Sequence, residues 1–358
     1  MNTNRLVGLD ILRSFAIFFV LSVHFFGFVP FHGTPMVGEN MALQLFMRQL
    51  FFLCIPLFLL LTGYFQSNKE LSKSYFSGLK NILLIYLIYS MLSILFKIFY
   101  QKEPIDASTA ILSILNYTSN PRGWYVNMYI GLFLIIPFLN TLYNNLKNQN
   151  EKIILIVIMC FLTSIPGFVN QFPFIAGIPN MILPDWWMGI YPLTYYFIGA
   201  YIKEYKPKIK KFYNIIAFIL VLLFQSSIYF LECRGGVLEY TFKVQYNGNL
   251  LSMVAAVLFF ILLYDVDIKN KVARFLVTDI AVLSFDIYLA SFISDYLLYP
   301  YFIKNYFKTQ QQFLKYYLII VPLSLLMSYL IAFIRRYLND IITTKRLKLT
   351  SNAINISE

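Results

Sequence analysis

Leu9-Asp10-Ile11-Leu12-Arg13-Ser14-Phe15-Ala16-Ile17-Phe18-Phe19-Val20-Leu21-Ser22-Val23-His24-Phe25-Phe26-Gly27-Phe28-Val29 is an apolar segment long enough to cross a bilayer, yet it carries an acid, a guanidinium and an imidazole. Ionisable groups are expensive in hydrocarbon, so they face a protein interior or a water-filled site and act there. An α-helix turns about 100° and rises about 1.5 Å per residue. On that geometry His24 falls within about 20° of Arg13 and about 16 Å further along the axis. Asp10 falls within about 60° of Arg13. One face of one membrane helix therefore presents all three groups.

The rest of the chain repeats the apolar pattern. Of 358 residues, 59% are apolar, 19% aromatic and only 13% charged, against roughly 25% charged in soluble domains. Segments 8–29, 44–65, 79–100, 124–142, 152–170, 188–202, 212–231, 249–264, 275–299 and 315–334 read as spans. The fold class is thus all-α, a polytopic membrane protein with about ten transmembrane helices. Residues 1–340 form one membrane-embedded domain, and 341–358 a basic cytoplasmic tail. No window resembles a soluble catalytic domain.

The net charge of +12 does not point to nucleic acid, because the cations sit in short segments between spans. With the N-terminus inside, the inner segments collect Arg5; Lys69, Lys73 and Lys80; Lys147 and Lys152; Lys203, Lys206, Lys208, Lys210 and Lys211; Lys269, Lys271 and Arg274; and Arg335, Arg336, Lys345, Arg346 and Lys348. The outer side holds fewer: Arg48, Lys102, Arg122, Arg234, Lys243, Lys304, Lys308 and Lys315. The bias sets both termini in the cytoplasm. Cys54, Cys160 and Cys233 lack metal-ligand spacing, and the reading calls for no metal. Pro30-Phe31-His32-Gly33 after the first span is no signal-peptidase site, so the first span reads as a retained helix.

Chemistry concentrates in few residues. His24 is the natural general acid or base. Arg13 cannot discharge and needs an anion: Asp10, another acid or a ligand phosphate. Coenzyme A, with phosphates at one end and a thioester on a long arm, has the dimensions to bridge Arg13 and His24. Asp286, mid-span in 275–299, is a carboxylate that could orient His24 or serve as a packing partner. Arg48 opens the second span, where it snorkels to headgroups or meets an acceptor. Glu39 and His32 occupy the first outer loop, where an acceptor would approach. Trp124, Tyr125, Asn127 and Tyr129 open the fourth span as an interfacial belt or a sugar-stacking surface.

Leu9 to Ala16 followed by His24, with ten residues between Arg13 and His24, resembles the opening motif of the membrane acyltransferase-3 family. So do Ile55-Pro56-Leu57-Phe58-Leu59-Leu60-Leu61-Thr62-Gly63-Tyr64-Phe65 and Gly123-Trp124-Tyr125-Val126-Asn127-Met128-Tyr129-Ile130-Gly131-Leu132. Ser284-Phe285-Asp286-Ile287-Tyr288-Leu289 resembles the family's penultimate-helix motif. The resemblance covers Arg5 to about Arg336. It implies about ten spans and O-acylation of a cell-envelope glycan such as capsule or wall polymer, commonly with acetyl from acetyl-CoA. It makes His24 the catalytic histidine, acting as base or as transient acetyl carrier, and Arg13 its partner.

Two departures stand out. Where many members carry a histidine, this chain has Ala290-Ser291, with Asp286 as the nearby carboxylate. Where members have arginines after the second span, this chain has Lys69, Lys73 and Lys80, which bind phosphate with less geometric specificity. These lysines are the expected donor-binding cations with Arg13. Glu39, Arg48, Trp124, Tyr125 and Asn127 are the expected acceptor contacts. The expected setting is the bacterial plasma membrane, with envelope-biosynthesis proteins as candidate partners. A transporter or flippase for a lipid-linked glycan is the alternative reading, since it too needs polar groups within the membrane.

Overall fold

The computed structural model describes residues 6–172, 181–233, 235–238, 247–307 and 313–356. Arg5, Arg234, Lys243 and Lys308, used above to orient the chain, lie outside the described residues, as do the side chains of Lys345, Arg346 and Lys348. The elements are helical, and no strand occurs among the described residues. Backbone polar groups have no water to bond in lipid, so each span satisfies them internally as a helix.

Among the described residues, seven helical segments are long and apolar enough to cross a membrane. They are α1 (Val7–Phe28); α2 (Gly38–Phe51) running into α3 (Cys54–Gln66); α4 (Lys73–Phe96), extended by a π-turn to Gln101; α6 (Gly123–Asn144); α10 (Lys211–Cys233); α12 (Lys271–Asn305); and the Lys315–Ile341 part of α13 (Phe313–Ile356). α5 (Ala107–Leu115) is a short helix with no buried residue. The break between α2 and α3 has a chemical cause. Pro56 has no N–H for the Phe52 carbonyl, so the helix restarts with proline in its first turn, where that donor is not required.

The other three expected spans fall on shorter helices: α7 (Gln149–Thr163), α9 (Tyr191–Tyr205) and α11 (Leu250–Leu263). Fourteen or fifteen residues rise only about 21–23 Å, less than a hydrocarbon core of about 30 Å. Proline sets two of these ends. Pro166 starts the short α8 (Ile165–Val169) after α7 stops, and Pro192 sits in the first turn of α9. Among the described residues, seven helices are long and apolar enough to span. A count of ten requires these three to cross with help from their irregular flanks. α13 runs through residue 340 without interruption, so the tail to Ile356 is helical and continuous with the last span.

α1 sits inside the bundle against α3, α12, α2 and α13. It runs parallel to α12. Near one end Thr278 Oγ1 donates to Asp10 (3.3 Å) and Ser14 Oγ to the Val277 carbonyl (2.9 Å). Near the other, Phe28 stacks on Tyr299. α12 and α13 are joined by a buried hydroxyl cluster in which Ser294 meets Ser324 and Ser328. α4 is peripheral and turns Leu83, Leu84, Leu87, Met91 and Leu95 outward, the apolar exterior that lipid demands.

Candidate active site

The site is built on α1, α6 and α12. Arg13 lies at one end of a cavity of about 240 Å³. Its guanidinium sits 5.1 Å from the centre of the Phe65 ring, a cation–π arrangement that places a fixed charge in a largely apolar wall. Thr62 and Gln66 of α3, Ile82 of α4 and Tyr129 of α6 also line this cavity. Its far wall is made by Val20, Ile55, Tyr125 and Tyr288. Arg13 and Val20 are seven residues apart, so the helix face toward the cavity is the face that carries His24 one turn further on.

His24 Nδ1 lies 2.9 Å from Asp295 Oδ2. The distance is that of an ion pair, and the ring is turned off the ideal hydrogen-bond line. Asp295 is wholly buried, and the His24 side chain is 12% exposed. Asp295 has two more partners. Arg122 Nη2 donates to the same oxygen at 2.8 Å, and Ser324 Oγ donates to Oδ1 at 2.7 Å. A buried carboxylate needs such compensation. Here it is neutralised by one guanidinium while its lone pairs still face the imidazole.

Arg122 is itself held. Its N–H donates to Asn120 Oδ1 (2.9 Å), and Tyr288 donates its hydroxyl to the Arg122 carbonyl (2.9 Å). Asn120 Nδ2 in turn donates to the Leu289 carbonyl and to Ser93 (both 3.0 Å). The entry to α6 is thereby pinned to α12 next to Asp295. Neither Asp295 nor Arg122 was singled out for chemistry in the sequence. A signal was present: Asp295 is the third carboxylate in the apolar span 275–299, near the same outer end as His24.

Asp286 lies elsewhere. It pairs with Arg335 through Nε and, at 3.2 Å, through Nη2. Two turns toward the α12 N-terminus, Asp279 takes Arg336 Nη1 at 3.1 Å and the Tyr329 hydroxyl at 2.6 Å. Depth explains the separation. Asp10 is level with Thr278, so equal rises put His24 level with residue 292, and Asp286 about 9 Å short of it. The carboxylate that reaches the imidazole is therefore Asp295, while Asp286 docks α13.

The remaining candidates separate into groups. Tyr125 and Tyr129 turn inward to the cavity, whereas Trp124 and Asn127 are exposed on the outer side of α6. Lys69, Lys73 and Lys80 are exposed on the segment that leaves the Arg13 end of the cavity. That segment is anchored by Asn140 Nδ2, which donates to the Gln66 and Lys69 carbonyls at 2.8 and 2.7 Å. Glu39 is exposed at the start of α2. Arg48 does not snorkel: it is 2% exposed, with its guanidinium 5.0 Å from the centre of the Phe52 ring. His32 is partly buried, and its Nδ1 lies 2.9 Å from the Leu238 carbonyl. Burial holds this imidazole below its usual value; the Leu238 bond opposes that, and the nearby Arg48 adds to it.

No curated protein and no solved structure matches the chain. The model of one protein family, described as an acyltransferase domain, matches residues 6–333. That span takes in all three helices of the site and nearly the whole membrane-embedded region, and the chain belongs to the acyltransferase-3 family of multi-pass membrane acyltransferases.

Proposed function

We propose that this acyltransferase moves an acetyl group from acetyl-CoA to a hydroxyl of a cell-surface polysaccharide, with His24 as general base. The observation that carries the reading is the shared face of α1. Arg13 lies in the cavity, and His24 lies one turn past its far wall with Asp295 behind the ring. The donor enters from the cytoplasmic side, its phosphates near Arg13 and the exposed Lys69, Lys73 and Lys80. The thioester arm lies along the apolar wall and brings the acetyl carbonyl toward His24. The acceptor comes from the outer side, where Glu39, Trp124 and Asn127 are exposed.

With Nδ1 turned to Asp295, Nε2 is left to take the acceptor's proton. The hydroxyl oxygen forms a bond to the carbonyl carbon. The carbon–sulfur bond breaks, and the imidazolium returns the proton to the departing thiolate. Asp295 stabilises the transient imidazolium, and Arg122 holds Asp295 in place. No cation is required beyond those of the chain.

The test is mass spectrometry of envelope polysaccharide from cells with and without the gene. Loss of a 42-dalton increment (about one acetyl per modified residue, on the general chemistry of acyl transfer) is the expected result. Glycan of unchanged mass but altered location would establish translocation in place of acylation.

A further inference from the structure

The cavity stops short of His24, and the residues that stop it form one layer. Val20 is one turn below His24 on α1. Tyr125 is one turn from Arg122 on α6. Tyr288 is two turns below Asp295 on α12. Each helix that contributes to the His24–Asp295–Arg122 cluster thus also contributes the side chain that closes the cavity beneath it. The two rings touch edge to face, with centroids 5.6 Å apart and planes at 70°. Both are buried. Tyr288 is fixed by its bond to the Arg122 carbonyl, and Tyr125 packs against Phe58 on one side and stacks on Tyr129 on the other.

We propose that Tyr125 and Tyr288 form an acyl-length selector between the donor cavity and His24, a role that rests on the transfer reading above. Rings in edge-to-face contact leave no passage between them. A thioester carbonyl reaches His24 only if the acyl group fits at the Val20 edge of the layer. Two carbons require the least displacement, and each further methylene must push into buried, anchored rings. The layer admits acetyl and selects against longer chains. Tyr125 can be trimmed without touching Arg122 or Asp295, whereas Tyr288 also holds Arg122. Size selection therefore resides mainly in Tyr125, and the Tyr288 hydroxyl serves alignment of the cluster.

The test uses inverted membrane vesicles that contain the full-length protein and native envelope glycan. They are supplied with acetyl-, butyryl- or hexanoyl-CoA, and acylated glycan is read by mass spectrometry. Wild type transfers acetyl and discriminates against hexanoyl. Tyr125→Ala raises the hexanoyl-to-acetyl ratio of kcat/KM by at least about tenfold, the usual scale of discrimination in an apolar pocket. Tyr125→Leu, which keeps apolar bulk in the wall and guards against loss of fold, raises it for butyryl. Tyr288→Phe keeps the ring and so keeps the ratio, while lowering the acetyl rate. Unchanged ratios in both Tyr125 variants overturn the selector, as does a ratio moved only by Tyr288→Phe. Vesicles of wild type that transfer no acyl group from any of the three thioesters defeat the parent reading instead.

Discussion

At the residue scale the decisive fact is which carboxylate faces His24. Asp295 does so, within 2.9 Å, while Asp286 is bound to Arg335. The two aspartates therefore predict opposite phenotypes. Asp295→Asn retains shape but loses the charge that steadies the imidazolium, so kcat falls by about 10²-fold or more, read by acylation kinetics in vesicles. Asp286→Asn leaves Arg335 without its partner and costs stability, about 3 kcal/mol, with a far smaller effect on rate. Equal rate losses in the two variants would contradict the assignment. His32 offers a pH prediction. Its folded-state pKa is depressed, so between that value and the unfolded value of about 6.5 the unfolded chain binds the extra proton, and stability falls as pH drops through this window. Melting of the detergent-purified protein from pH 7.5 to 5.5 should decline less steeply in His32→Gln. His24 and Arg13 were legible from sequence because ionisable residues in an apolar run stand out. Asp295 was not chosen because one helix does not disclose its depth relative to another. The Asp10–Thr278 contact supplies that register, and it comes only from the packed structure.

At the element scale, close approach of helices replaces the hydrophobic drive that lipid removes. α3 and α9 cross at Gly63 and Gly199. A Cβ on Gly63 would strike the Tyr196 carbonyl, and one on Gly199 the Leu60 carbonyl. Both obstacles are backbone and cannot swing away. Gly63→Ala should therefore destabilise by about 1–3 kcal/mol, as overpacked cores do, seen as a lower melting temperature, whereas Gly131→Ala, where a Cβ meets open space, should be neutral. A neutral Gly63→Ala would mean the crossing is looser than described. The long helices were legible because lipid forces apolar runs to be helical. α9 and α11 fall within a few residues of the short segments 188–202 and 249–264, whereas α7 stops at Thr163, before the expected end of 152–170. Pro166 ends α7 inside the expected span, because it starts the separate short helix α8. Arg122 was missed for a related reason. It reads as one more outer cation until the α6 N-terminus is seen pinned to α12 through Asn120 and Tyr288.

At the scale of the whole molecule, the account needs one cavity open to the donor compartment and one imidazole beyond its far wall. Cation bias predicts that the Lys69 segment lies in the cytoplasm, with the Trp186–Trp187 segment outside if the shorter helices cross. Single cysteines introduced at Lys69 and at Trp186, both exposed positions, should then be labelled from opposite sides by a membrane-impermeant maleimide. Labelling from the same side would remove the ten-span topology. The most direct test of the central claim is transfer of isotope-labelled acetyl from acetyl-CoA to envelope glycan in vesicles bearing wild type or His24→Gln. The account predicts label on the glycan with wild type and none with the variant, at equal levels of inserted protein. Label at wild-type level in His24→Gln would contradict it.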